Sequence, residues 1–247
     1  MYLLFDGENG PNWDFPPFAG QPTVYVVASI PRAGSNLLCN ALGATKLAGR
    51  PRDYFASDHM RDFAHRWGPL TMASYRDQLF KHRTSPNGIF GFKIHWFQFA
   101  EFFTRNGRVT FEPLLKPSLI VYMRRRDKLR QAISWVRALQ TKRFTSNMAS
   151  RGTTEYKRSN INALLRDIAE QETMWDHFFA EASVTTLVIE YEDFVHSYHD
   201  TIAHVVKGLN LTIPISKVPQ PSLSRLADAE TEDWVDRYRT ESEPESI

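Results

Sequence analysis

The stretch "VYVVASIPRAGSNLLCNAL", Val24 to Leu42, opens as a short apolar, β-rich run and continues at helical spacing, with Pro31, Arg32, Gly34, Ser35 and Asn36 packed into the join. This reads as a buried strand, a tight turn and a helix. In a parallel α/β sheet ligands bind outside the carboxyl ends of the strands, so the first strand-turn-helix is a natural anion site. Gly34 lets the backbone approach a ligand, Ser35 and Asn36 can cap the helix or donate to an anion, and the helix N-terminus offers N–H groups carrying partial positive charge. Arg32 adds a formal charge. The plainer alternative is a capped turn with Arg32 in solvent. The turn has neither the Gly-Lys-Ser/Thr ending of a nucleotide triphosphatase loop nor the three-glycine dinucleotide fingerprint, so it reads as a phosphate loop of another kind.

Working outward, β-rich runs recur at "IFGFKI" (89–94), "LIVYM" (119–123) and "TLVIE" (186–190). Helical spacing fills the intervals. Segment 127–141 places Leu129, Ile133, Val136 and Leu139 on one face, and 159–182 does the same with Ile161, Leu164, Ile168, Trp175 and Phe178. Strands alternating with helices predict an α/β fold: a central, mostly parallel sheet with helices on both faces. Residues 1–21, dense in Gly, Pro and aromatics, read as an N-terminal extension on a single domain, 22–247, with an acidic tail from about 240.

Composition narrows the function classes. The chain has 247 residues, 42% apolar and 13% aromatic, enough to bury one sizeable core. Its 30 basic and 28 acidic residues nearly cancel, so nucleic acid is not an expected partner and any basic site must be local. The single cysteine, Cys39, cannot form an internal disulfide and falls on the apolar side of the first helix. No apolar run approaches the ~20 residues needed to span a bilayer, and no basic region precedes the short apolar patch near the start. A soluble, cytoplasmic protein without an integral membrane segment is expected.

A second basic feature stands at "YMRRRDKLRQAISWVRA", where Arg124, Arg125 and Arg126 follow an apolar strand and Ser134 lies on the next helix. Three consecutive arginines are usually a solvated run. At the ligand-binding edge of a sheet, however, an arginine and a helical serine can hold a phosphate between them.

The segments "ASIPRAGSNLL", "GRPRDYF", "FGFKIHWFQ", "MRRRDKLRQAISWVRALQT", "IEYEDF" and "ADAETEDWVDRYR", in this order, resemble the bacterial Stf0-type sulfotransferases over roughly residues 24–239. The resemblance implies a P-loop-like sulfotransferase fold and the donor 3′-phosphoadenosine 5′-phosphosulfate (PAPS), with adenosine 3′,5′-bisphosphate (PAP) as product and no metal. It matches Arg32, Ala33, Gly34, Ser35, Asn36 and Leu37 to the loop for the 5′-phosphosulfate. Ser134 with Arg125, or with Arg126 next to it, matches the 3′-phosphate site. Arg225 would contact the donor's phosphates from a closing C-terminal segment, with Trp234 and Tyr238 as packing residues. A homodimer is compatible with the resemblance.

The resemblance further implies Asp53 as the base, where the family carries a glutamate one methylene longer, with Arg32 and Lys93 steadying the transferred group. Read from sequence alone, Asp53 is a turn residue after Pro51, and a strand-end lysine such as Lys93 commonly reaches solvent. His59 and His95 are fallback bases. Trp96 and Gln98 suit a sugar acceptor, since aromatic faces pack on C–H surfaces and amides bond hydroxyls; a core tryptophan is the simpler alternative. "IEYEDF" is assigned no chemistry. Residues 56–88 could form a lid or a dimer contact. The expected reaction is sulfuryl transfer to a hydroxyl of a carbohydrate or glycolipid. A nucleotide-dependent kinase and a non-catalytic nucleotide-binding module are the alternatives.

Overall fold

The computed structural model describes residues 9–223 and 226–241. Its elements run β1 (Thr23–Ser29), α1 (Ser35–Ala44), α2 (Ser57–Trp67), α3 (Met72–Arg83), β2 (Ile89–His95), α4 (Trp96–Phe103), a small antiparallel pair β3 (Thr104–Arg105) and β4 (Arg108–Val109), β5 (Pro117–Arg124), α5 (Lys128–Thr141), α6 (Arg158–Glu181), β6 (Thr185–Glu190), α7 (Tyr191–His196), α8 (Tyr198–Gly208) and α9 (Ala229–Thr240). The four apolar runs read from sequence are β1, β2, β5 and β6. They form one sheet in the order β2-β1-β5-β6. Every pairing in it is parallel, with Val27 opposite both Lys93 and Val121, and Tyr122 opposite Val188.

Burial explains why the first runs lack alternation. β1 and β2 are buried almost throughout because helices cover both faces, whereas edge strand β6 is mostly half-exposed. One face carries an aromatic core centred on Trp175, which stacks on Phe99 and Phe179. The other is aliphatic, formed by α1 and α8 residues such as Leu38, Leu42, Ile202 and Val205, with Cys39 among them. At one crossing the sheet needs glycine: a Cβ on Gly91 would lie 2.3 Å from the Tyr25 ring. That space lets the buried Tyr25 hydroxyl reach Ala48 O at 2.8 Å.

Residues preceding β1 lie on α2 and α3. Phe15 and Phe18 N–H groups donate to His82 O and Lys81 O, both at 2.9 Å, and Asp14 pairs with Arg66 and Arg83. Among the described residues, no helix is long and apolar enough to cross a membrane.

Candidate active site

A cavity of about 1540 Å³ opens at the carboxyl ends of β1, β2 and β5 and reaches the β6–α7 junction. Arg32, Asn36, Asp53, Lys93, His95, Arg125, Ser134 and Tyr191 line it. These residues are distant in sequence and meet because parallel strands deliver their exits to one edge.

The opening stretch is the turn the sequence predicts, with a different cap. Arg32 and Gly34 have left-handed backbones, φ 67° and 93°. A Cβ on Gly34 would fall 2.5 Å from the Tyr191 ring, so only glycine fits there. Gly34 is itself the N-cap of α1 and no side chain caps the helix. Leu37 N–H donates to Gly34 O at 3.0 Å, while the N–H groups ahead of it meet no capping side chain and keep their bonding capacity for an anion. Neither Ser35 nor Asn36 closes that end; Asn36 Oδ1 instead accepts from Lys93 Nζ at 3.0 Å.

Arg32 lies deep in this turn. Its Nε donates to Ser134 Oγ at 3.0 Å and its Nη1 to Phe144 O at 2.5 Å. Both partners are neutral. Burial, reinforced by the neighbouring Arg125 cation, lowers its pKa to about 10. The turn and Ser134, read as parts of two separate anion sites, thus share one hydrogen bond.

The three arginines after β5 point to different places, as successive residues leaving a strand do. Arg124 faces Glu172 and Glu190 at 3.5 and 3.8 Å. Arg125 is buried on the cleft wall, donates to Arg32 O at 3.3 Å and lies 4.9 Å from the Tyr191 ring centroid. Arg126 departs from the sequence expectation. It is exposed, forks onto Asp193 at 2.7 and 2.8 Å, and is absent from the cleft wall. Arg225 lies outside the described residues. Trp234 is buried against Tyr156, and Tyr238 packs on Arg158.

Around the end of β2 the sequence-predicted groups converge. Lys93 N donates to Arg52 O at 2.8 Å, which pins residues 52–53 beside the strand. The buried Lys93 ammonium then meets Asp53 Oδ2 at 3.0 Å. Asp53 Oδ1 is buried and has no hydrogen-bond partner among the described residues. Burial pushes the Asp53 carboxyl up, but Lys93, by its charge and its hydrogen bond, outweighs it and holds the group below its ordinary value. His95 contacts Ser29 Oγ through Nδ1 at 3.0 Å; burial, then Lys93, lowers its pKa to about 4, so the ring is neutral. His59 lines the cleft with Nδ1 3.0 Å from Asn9 Oδ1.

Trp96 is a second correction. It is buried edge-on against Trp175 at 5.0 Å and does not line the cavity. The helical turn that buries Trp96 leaves Phe97 46% exposed on the cleft wall. Gln98 does line the cleft, with Oε1 accepting the His95 N–H at 2.8 Å. Sequence reasoning missed Phe97, the loop around Arg143 and Phe144, and the "IEYEDF" segment. There Tyr191 walls the cleft, while Glu192 accepts the Arg126 and Asp127 N–H groups at 3.1 and 3.2 Å. The β5–β6 pairing, with Arg124 opposite Glu190, brings that segment beside the arginines.

Two relatives match nearly end to end. The chain is 26% identical over 255 residues to the trehalose 2-sulfotransferase of Mycobacterium tuberculosis, covering 88% of this chain and 95% of the relative. It is 24% identical over 265 residues to the trehalose 2-sulfotransferase of Mycolicibacterium smegmatis, covering 92% and 98%. A solved structure, the sulfotransferase domain from the Synechococcus PCC 7002 olefin synthase, aligns at a TM-score of 0.48 and 13% identity, covering 94% of this chain and 93% of that one. The family model for Stf0 sulphotransferase matches residues 24–241, the span that holds the turn, the strand-end arginines and the Lys93–Asp53 pair, and the chain belongs to that family.

Proposed function

We propose that the protein transfers a sulfuryl group from PAPS to a hydroxyl of a carbohydrate or glycolipid acceptor. The carrying observation is the chain Asn36–Lys93–Asp53, with both contacts at 3.0 Å, which links an anion-ready turn to a carboxylate with an uncommitted oxygen. The cavity's donor side fits a bisphosphorylated nucleotide. Arg32 has only neutral hydrogen-bond partners among the described residues, α1 is uncapped, and the Gly34 backbone has no room for a side chain.

When bound, the donor supplies a sulfuryl group whose bond to the 5′-phosphate breaks as the bond from the acceptor oxygen to sulfur forms. Asp53 Oδ1 takes the hydroxyl proton, a role worth typically ~10²–10⁴-fold. Lys93 has a third N–H beyond those on Asp53 and Asn36, and it steadies the charge gathering on the leaving oxygen. As Lys93 turns toward that charge, its hold on Asp53 weakens and the carboxylate becomes more basic. Arg32 and the α1 N-terminus receive the phosphosulfate. Arg125 and Ser134 hold the 3′-phosphate.

Labelled PAPS should be consumed with neutral sugars, trehalose included, and turnover should survive excess EDTA. Calorimetry should give far tighter binding of PAP than of adenosine 5′-monophosphate. Equal affinities, or phosphoryl transfer from ATP, would sink the reading.

A further inference from the structure

Residues 9–18 precede the span that the family model matches, and they lie across α2 and α3 as a strap. On α2, Asn9 Nδ2 donates to Asp62 at 2.8 Å and Arg66 donates to Asn9 O at 3.1 Å. On α3, the Phe15 and Phe18 N–H groups donate to His82 O and Lys81 O, and Asp14 pairs with both Arg66 and the buried Arg83. The strap is thus tied to both helices. Its Trp13 and Phe15 rings reach the segment that leads to Asp53.

That segment is held at successive points. Behind Asp53, Tyr54 is buried and its carbonyl accepts from the Tyr75 hydroxyl at 2.6 Å. Beside it, Lys93 N–H fixes Arg52 O. Ahead of it the hold comes from the strap. The Arg50 guanidinium donates through Nη1 to Trp13 O and lies 5.4 Å from the Trp13 ring centroid and 4.5 Å from that of Phe15, while Arg52 lies 5.6 Å from Trp13. A guanidinium facing two aromatic rings keeps its charge and loses its freedom to swing. The Arg50 backbone is tied in turn to the buried ring beyond Asp53, since the Tyr54 hydroxyl donates to Arg50 O at 2.6 Å.

We infer that Trp13 and Phe15 are positioning residues for the base: they hold Arg50, and through it they set where Asp53 Oδ1 meets the acceptor hydroxyl. The inference rests on the sulfotransferase reading and gives a role in it to a segment outside the family match. An aspartate side chain is short, so its oxygens go where the backbone carries them, and a proton acceptor must stand within hydrogen-bond reach of the proton it takes. A segment released at Arg50 would keep its turn and lose that register. The donor is met by Arg32, Arg125 and Ser134, none of which touches the strap, so the effect falls on turnover and spares PAP.

The test uses the full chain with PAPS and trehalose. Trp13→Leu keeps apolar bulk and removes the aromatic face; kcat should fall ~10-fold or more while PAP affinity stays within about twofold of wild type. Trp13→Phe should retain most of the turnover. In an Asp53→Asn background Trp13→Leu should cost nothing further, because the group it positions is already gone, whereas a merely structural tryptophan would lower turnover in both backgrounds. An unchanged kcat in Trp13→Leu, an equal loss in the Asp53→Asn background, or a parallel loss of PAP affinity would each overturn the inference. Should Trp13→Leu not fold, Arg50→Met carries the same comparison with the same outcomes. Undetectable turnover in the wild type would count against the sulfotransferase reading alone, and hydrogen exchange then decides: faster exchange in Trp13→Leu confined to residues 50–56 supports the anchor, and an unchanged pattern, or faster exchange throughout the sheet, overturns it.

Discussion

Arg32 and Arg137 both line the cleft, yet their surroundings give them opposite characters. Arg137 on α5 is held by Asp228 at 2.6 Å and Glu230 at 2.7 Å from the start of α9, and the bonds to Asp228 raise its pKa. Arg130 is held in the same way by Asp127 and Glu232. Arg32 has only the neutral Ser134 and Phe144 oxygens among the described residues, and burial lowers its pKa. A cation already forked by two carboxylates gains little from a further anion. A desolvated cation with neutral partners gains a great deal. The rim arginines therefore fasten α9 over α5, and the interior one is left for ligand. Asp53 repeats the distinction within one side chain: Oδ2 is engaged by Lys93 and Oδ1 is not.

The largest expected effect tests that spare oxygen. Asp53→Asn should lower turnover by ~10²-fold or more, the usual contribution of a positioned base, with PAP affinity close to wild type. Near-normal turnover would end Asp53's role as the base and break the contrast between its two oxygens.

His95 sharpens the contrast through pH. Its folded pKa is depressed to about 4, so between there and its unfolded value near 6.5 the unfolded chain binds the extra proton. Stability should fall as pH drops through that window, at up to ~1.4 kcal/mol per pH unit from this group. His95→Gln should flatten the slope in urea titrations from pH 7 to 4. An unchanged slope would show that the folded ring takes up its proton as readily as the unfolded chain.

The arginines allow the comparison to be broken directly. Arg32→Ala should cost PAP affinity ~1.5–3 kcal/mol, the range for hydrogen bonds to charged groups. Arg137→Ala should leave that affinity nearly unchanged and lower stability by about 1 kcal/mol at most, since its pairs are partly screened by solvent. Equal affinity losses would erase the distinction between interior and rim.

A smaller, more selective effect separates two neighbours in sequence. Arg125→Ala should weaken PAP by ~10-fold with little change for adenosine 5′-monophosphate, whereas Arg126→Ala should alter neither, its fork being spent on Asp193. Selective loss in Arg126→Ala would reverse the assignment.

Much of this was legible in the chain before any coordinates. Runs such as "VYVVA" and "LIVYM" read as buried strands, and the helical spacing between them favoured parallel connections, because local backbone preference and burial act over a few residues. The turn at Arg32 and Gly34 followed from the same local chemistry. So did the reading of Asp53 as a turn residue and of Lys93 near a strand end, though their roles came from resemblance. Which side chain faces the cleft was decided by tertiary structure. Trp96 and Phe97 are adjacent aromatics that sequence cannot rank; α4 buries one against Trp175 and exposes the other because a helix turns roughly 100° per residue. Arg125 and Arg126 separate by the same logic at a strand end, and Tyr191 reaches Gly34 and Arg125 only because β6 pairs beside β5. Strands and turns are written in neighbouring residues, whereas the contrast between Arg32 and Arg137 depends on which partners arrive from Phe144 and Asp228, far along the chain, and only the folded packing brings them there.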